Sequence, residues 1–254
     1  MLNYIKNLTK ELGNAFLDFT KSRNFARVDE NNIRKIVRDI ENKGFCVVDD
    51  FYSKALCDKI SEEIDNMILS HRSKVWVDQF ESDHRLYAAD RKSGLVSNFF
   101  NDKFLRKVSS GYMGSDLVGF TLAARLTAKP ENLGSGGGWH RDALKRQIKS
   151  IIYLTDVDIK SGPFEYFEGS HRHGEKLQNF ILNELKHHTR YSENEISKFK
   201  ERGLETITAK AGTLILVDTS GIHRGRPIDE GSRYALTNYF WTDSIPEHIS
   251  KLFI

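Results

Sequence analysis

GTLILVDTSGIH, residues 212–223, is a run of four large apolar residues that breaks into a polar turn and ends on a histidine. Leu214 to Val217 suit a strand buried on both faces, and the Asp218-to-Gly221 turn stops it. A histidine delivered just past such a turn stands at a strand end, at the mouth of a barrel rather than inside its packed interior. Around it, from about residue 117 to the C-terminus, lie further strand-like runs: LVGFTLAARLTA (117–128), KSIIYLTDV (149–157), PFEYF (163–167), LETITA (204–209) and RYALTNYFW (233–241). Gly, Pro and Asp turns separate them. Many short strands of this kind predict a sandwich or barrel.

Helices flank the strands. Leu2, Ile5, Leu8, Leu12, Phe16 and Phe19 recur at three- and four-residue steps, as do Ile33, Ile36, Val37 and Ile40 before Gly44. FCVV (45–48) then reads as a buried strand, and Ser53 as the cap of a helix carrying Leu56, Ile60, Ile64 and Ile68. Residues 1–70 are therefore mostly helical. A second helical stretch, about 175–202 (EKLQNFILNELKHH and SENEISKFKERG), interrupts the strands and is placed to form a lid. At 254 residues the chain supports one substantial core, so 1–254 reads as a single domain.

Composition excludes several function classes. A net charge of +3 from 38 basic and 35 acidic residues is too balanced for a nucleic-acid-binding surface. Two cysteines, Cys46 and Cys57, give neither a disulfide framework nor a Cys-based zinc site, which fits a cytoplasmic protein. The N-terminal apolar residues are broken by Lys6, Lys10 and Glu11, so no signal peptide or membrane span is expected there. The oligomeric state is not fixed by the sequence.

GGGWHRD (136–142) supplies what His223 lacks. Its glycines are not followed by the Lys-Ser/Thr of a P-loop and do not lie in a βαβ fingerprint, so they are not a phosphate cradle. His140 and Asp142 stand two residues apart, on one side of an extended segment, and with His223 they complete a two-histidine, one-carboxylate set. Three protein ligands leave open positions on an octahedral Fe(II), whereas structural zinc is normally closed by a fourth. These three residues are the expected metal ligands and catalytic centre. Arg233, ten residues after His223, suits a two-pronged pair with the distal carboxylate of a dicarboxylic co-substrate.

With these residues in this order, the sequence resembles the phytanoyl-CoA dioxygenase-like family of Fe(II)/2-oxoglutarate-dependent oxygenases over roughly residues 40–245. GGGWHRD resembles the proximal metal motif, SGPFEYFEGSHR (161–172) the "NGP…PGSH" segment, and AGTLILVDTSGIHRGRP (211–227) with RYAL the distal motif. The resemblance implies a mainly β fold with flanking α: a double-stranded β-helix, or jelly-roll, core with N-terminal helices and a helical insertion. It implies Fe(II) on His140, Asp142 and His223, 2-oxoglutarate on Arg233 with a second contact from Arg125 or Thr127, and O2 as oxidant. The implied reaction hydroxylates a small molecule and releases succinate and CO2. Glu168 and Glu165 depart from the family pattern, whereas Asp142 retains the carboxylate that related halogenases replace. Arg141, Arg224 and Arg226 flank the ligands, and His171 and Arg172 lie in the segment expected near the mouth; this local basic cluster suggests an anionic substrate. The alternatives are a non-oxidative cupin-like sugar-binding or isomerase protein, which has no need of Arg233, and a zinc hydrolase, for which no motif is present.

Overall fold

The computed structural model describes residues 31–182, 189–197, 199 and 203–254. The helix expected in the first twenty residues lies outside them. Helix α1 (Asn31–Lys43) buries Ile33, Val37 and Ile40, and it ends where Gly44 takes a positive φ and its N–H bonds the Ile40 carbonyl. Strand β1 (Phe45–Val48) follows, then α2 (Lys54–Ser70), whose first turn is capped by Ser53 Oγ accepting from the Leu56 N–H. Both helices and the strand match the periodicity. Leu56 is only half-buried, and Cys57 and Met67 join Ile60, Ile64 and Ile68 in the core.

No element is expected from periodicity between residues 71 and 116. The structure has strands β2 (Trp76–Val77) and β3 (Asp83–Leu86) there, then helices α3 (Gly94–Phe100) and α4 (Lys103–Met113). The remaining strands are β4 (Val118–Thr127), β5 (Ile148–Tyr153), β6 (Phe164–Phe167), β7 (Leu204–Ile207), β8 (Leu214–Asp218), β9 (His223–Gly225) and β10 (Ser232–Trp241). They form an antiparallel seven-stranded sheet, β1-β8-β5-β10-β4-β3-β2, and a three-stranded sheet, β7-β6-β9. Residue 140 bridges both His223 and Arg190, which extends the smaller sheet by two short stretches of chain. The chain thus alternates between two facing sheets, the double-stranded β-helix arrangement.

Period-two alternation assigns each strand residue of the larger sheet to one of two layers. Leu214, Leu216, Ile148, Ile152, Leu236 and Phe240 pack with α1–α4 in one apolar cluster. Ile215, Val217 and Tyr153 point the other way, against Phe164, Tyr166 and Ile207 of the smaller sheet. Every residue of β8 is buried because both of its faces are covered. The segment expected to be a helical insertion is mixed. It holds α5 (His173–Leu182) and α6 (Glu193–Ser197), but residues 189–191 are extended and hydrogen-bond with 139–141. A last helix, α7 (Glu247–Ser250), closes the described chain, and no helix among the described residues is long and apolar enough to cross a membrane.

Gly212 joins the helical layer to β8. Its φ is +95°, the Tyr52 N–H donates to its carbonyl at 3.1 Å, and a Cβ there would collide with the Tyr52 carbonyl oxygen. Gly212→Ala should therefore lower unfolding free energy by about 2 kcal/mol or more in urea titration. A change below about 0.5 kcal/mol would mean that this close approach relaxes freely.

Candidate active site

A cavity of about 300 Å³ opens between the sheets. Its floor is the inward-facing set of three neighbouring strands: Leu122, Ala124 and Leu126 of β4, Lys149, Ile151 and Tyr153 of β5, and Arg233, Ala235, Thr237 and Tyr239 of β10. The opposite wall carries His140, Asp142, Phe164 and His223.

The two histidines face each other because their backbones form a reciprocal pair: each N–H donates to the other's carbonyl at 2.9 Å. The Asp142 N–H donates to the Thr219 carbonyl at 3.0 Å. His140 Nδ1 lies 2.8 Å from the Gly138 carbonyl oxygen and His223 Nδ1 lies 3.0 Å from that of Gly221. A carbonyl only accepts, so each Nδ1 carries the proton and each Nε2 presents a lone pair. Those Nε2 atoms lie 3.6 Å and 4.0 Å from the two Asp142 carboxylate oxygens, and one donor atom from each of the three residues falls within 4.8 Å of the others. Burial and the neighbouring His140 push the His223 pKa down to about 3, so its imidazole is neutral and able to ligate. Burial alone would raise the Asp142 pKa, but the Lys149 ammonium holds it well below the usual carboxylate range. Two imidazoles and one carboxylate, with no fourth protein donor among the described residues, fit an open-sided iron site better than a closed zinc site.

Arg233 is 5% exposed, yet its Nε has no hydrogen-bond partner and no carboxylate pairs with it among the described residues. Asp83, which shares a transverse row with Leu126 and Arg233, is engaged by Arg85 at 2.9 Å and 2.5 Å. Burial pulls the Arg233 pKa below its ordinary value, though a guanidinium remains charged. A buried cation without a counter-ion costs several kcal/mol. The cavity is therefore shaped to take an anion at this end.

The structure brings His140, Asp142, His223 and Arg233 to one cavity and corrects the other expectations. Arg125 and Thr127 face away from it, because β4 presents its even-numbered residues to the cavity; Arg125 instead pairs with Asp65 at 2.9 Å. Arg141 lines the wall, but its guanidinium donates to Tyr191 Oη and to the Ser170 and Ser220 carbonyls. His171 and Arg172 reach the carbonyls of Glu41 and Asn42 and so tie the segment to α1. Arg224 pairs with Glu165 at 2.6 Å and with Glu193 at 2.9 Å, and Arg226 lies 3.6 Å from Glu165. Glu165 is thus the buried counter-charge of two arginines. The cluster flanking the ligands is engaged by protein, so it gives no argument for an anionic substrate.

Sequence reasoning missed Lys149, Tyr153, Thr237, Tyr239, Arg85, Ser135 and Arg190, all of which line the cavity. A usable signal was present for part of this set. With Arg233 facing inward, period two along RYALTNYFW also turns residues 235, 237 and 239 inward.

The family model described as phytanoyl-CoA dioxygenase (PhyH) matches residues 40–233. Among solved structures, the non-heme alpha ketoglutarate-dependent epimerase SnoN from nogalamycin biosynthesis superposes with a TM-score of 0.67. Its identity is 15%, over 88% of this chain and 89% of that one. HygX from Streptomyces hygroscopicus, crystallised with nickel and 2-oxoglutarate, gives 0.62 at 15% identity over 84% and 89% of the two chains. EctD from S. alaskensis with bound Fe gives 0.62 at 15% identity over 81% and 75%. Likeness at this identity carries the fold. No curated protein sequence matches the chain significantly.

Arg224→Met removes the nearer of the two guanidinium partners of buried Glu165, leaving Arg226 at 3.6 Å, and should cost about 3 kcal/mol of stability in chemical denaturation. The double variant Arg224→Met/Glu165→Leu should recover most of that loss. Equal stabilities for the single variant and the parent would return Arg224 to the pool of free surface cations.

Proposed function

The chain belongs to the phytanoyl-CoA dioxygenase (PhyH) family, and from that premise we propose that it is an Fe(II)- and 2-oxoglutarate-dependent dioxygenase that hydroxylates an unactivated C–H bond of a small molecule. The observation that carries this reading is the buried Arg233 guanidinium, paired with no carboxylate among the described residues, in the same cavity as an open three-ligand set. A non-oxidative sugar-binding or isomerase protein on this fold has no use for that cation.

His140 Nε2, His223 Nε2 and an Asp142 carboxylate oxygen would hold Fe(II), and Arg233 would receive the distal carboxylate of 2-oxoglutarate as a charge-assisted, two-pronged pair. Bound together, Fe(II), 2-oxoglutarate and O2 supply the oxidising chemistry, in which loss of CO2 and formation of succinate accompany oxidation of a C–H bond. The chain's own part is positioning. The carbonyls of Gly138 and Gly221 fix the histidine tautomers, and Leu122, Ala124, Ile151 and Phe164 supply the apolar surface between the charged groups. Phe164 packs against the His223 ring at 5.4 Å between centroids and limits its rotation. Retention of the Asp142 carboxylate favours hydroxylation over halide transfer.

Arg233→Met should weaken 2-oxoglutarate binding to the metal-loaded protein about a hundredfold, while Arg125→Ala moves it less than twofold. Calorimetry checks both, and equal losses from the two variants would misplace the co-substrate. His140→Ala and Asp142→Ala should each abolish Fe(II)-dependent conversion of 2-oxoglutarate to succinate. Succinate formation that survives both substitutions would refute the metal assignment.

A further inference from the structure

Lys149 is the inward residue of β5 opposite Tyr239 of β10, and it is 5% exposed. Its Nζ lies 2.5 Å from Asp142 Oδ2 and 3.9 Å from the Tyr239 ring centroid. The ring is held by a parallel stack on Phe120, with centroids 5.4 Å apart, and by Trp241 beyond it. The ammonium is therefore fixed in the cavity by an aromatic wall and a single carboxylate. That carboxylate is the proposed metal ligand. With a divalent ion on the triad, Asp142 faces two cationic centres, and the enclosed ammonium is short of negative charge.

Protein groups do not make up the deficit. Arg85 pairs with Asp83, Arg141 donates to Tyr191 Oη and to two carbonyls, and Arg190 adds a further cation to the cavity lining while donating to the Gly136 and Gly137 carbonyls. Arg233 and Tyr239 stand six residues apart on one face of β10, so the cavity floor runs from Arg233 at one end to Lys149, opposite Tyr239, at the other. A diacid anchored on Arg233 comes to the metal from the first end, and its distal carboxylate is already paired there.

We infer that Lys149 is the docking point for an oxyanion of the substrate, a carboxylate, phosphate or sulfate group held beside the metal on the side away from Arg233. The inference rests on the oxygenase reading above and assigns a substrate class to it. It also relocates the anion preference: the cations beside the ligands in sequence are engaged by protein, and the one that serves the substrate is on a strand where no motif marks it.

Sulfate is a suitable probe, applied to protein loaded with cobalt(II) and saturated with 2-oxoglutarate, so that Arg233 is already occupied. Calorimetry should find one saturable sulfate site in the wild type. Lys149→Met should weaken it at least tenfold and Lys149→Arg should hold it within threefold, each measured at cobalt(II) and 2-oxoglutarate concentrations shown to saturate that variant. Thr237→Glu places a carboxylate on the floor near Tyr239 without replacing a partner of Asp142, and should also weaken sulfate at least tenfold. Wild type that binds 2-oxoglutarate but no sulfate overturns the subsite alone, as does sulfate affinity unchanged in both Lys149→Met and Thr237→Glu. Wild type that binds cobalt(II) but no 2-oxoglutarate overturns the oxygenase reading, and the subsite falls with it.

Discussion

The reciprocal backbone pair between His140 and His223 is the constraint on which the site depends. It joins the glycine-rich loop to β9, and β9 pairs with β6, which pairs with β7, so the loop becomes part of the smaller sheet. The same pair fixes how far apart the two imidazoles stand, with ring centroids 4.3 Å apart. Each ring is then oriented by a carbonyl two residues upstream in its own chain, Gly138 for one and Gly221 for the other. Ligand geometry is thus set by backbone hydrogen bonds. Phe164 on the His223 ring and Lys149 on Asp142 add side-chain contacts, and substitutions at the rim should leave this geometry intact.

The larger sheet does two jobs through a single alternation. Along β4, β5 and β10 one set of residues packs into the helical layer, and the other set lines the cavity. Small residues at 124 and 235 leave room between them. Buried charge is matched locally: Asp83 to Arg85, Glu165 to Arg224, Asp142 to Lys149. Arg141 is held by a hydroxyl and two carbonyls instead. Arg233 pairs with no carboxylate among the described residues, and Lys149 shares Asp142 with the proposed metal site. Unmatched buried charge is costly, so these last two are the positions at which the proposed ligand anions would complete the structure.

What the sequence made legible follows from how local each signal is. The ends of α1 and α2, the apolar run of β8 and the triad were readable because each depends on a few adjacent residues or on a spaced motif. Arg233, singled out by its place after His223, lines the same cavity as the triad. Arg125 and Thr127 failed on parity: a strand residue's facing depends on pairing register, which sequence alone leaves open by one residue. The cations at 141, 171, 172, 224 and 226 failed for another reason. Their partners are backbone carbonyls and the distant Glu165, Glu193 and Tyr191, which folding alone brings near. Lys149 carried no motif at all; only the two-sheet arrangement places it beside Asp142.

The central claim is that one cavity holds iron and 2-oxoglutarate together, the first on the triad and the second reaching it from Arg233. The most direct measurement is the visible absorption of the protein under anaerobic conditions as Fe(II) and 2-oxoglutarate are added. Chelation of the iron by the co-substrate predicts a metal-to-ligand charge-transfer band that needs both components and saturates at one equivalent of each. Binding of both components with no such band would place them at separate sites and contradict the account.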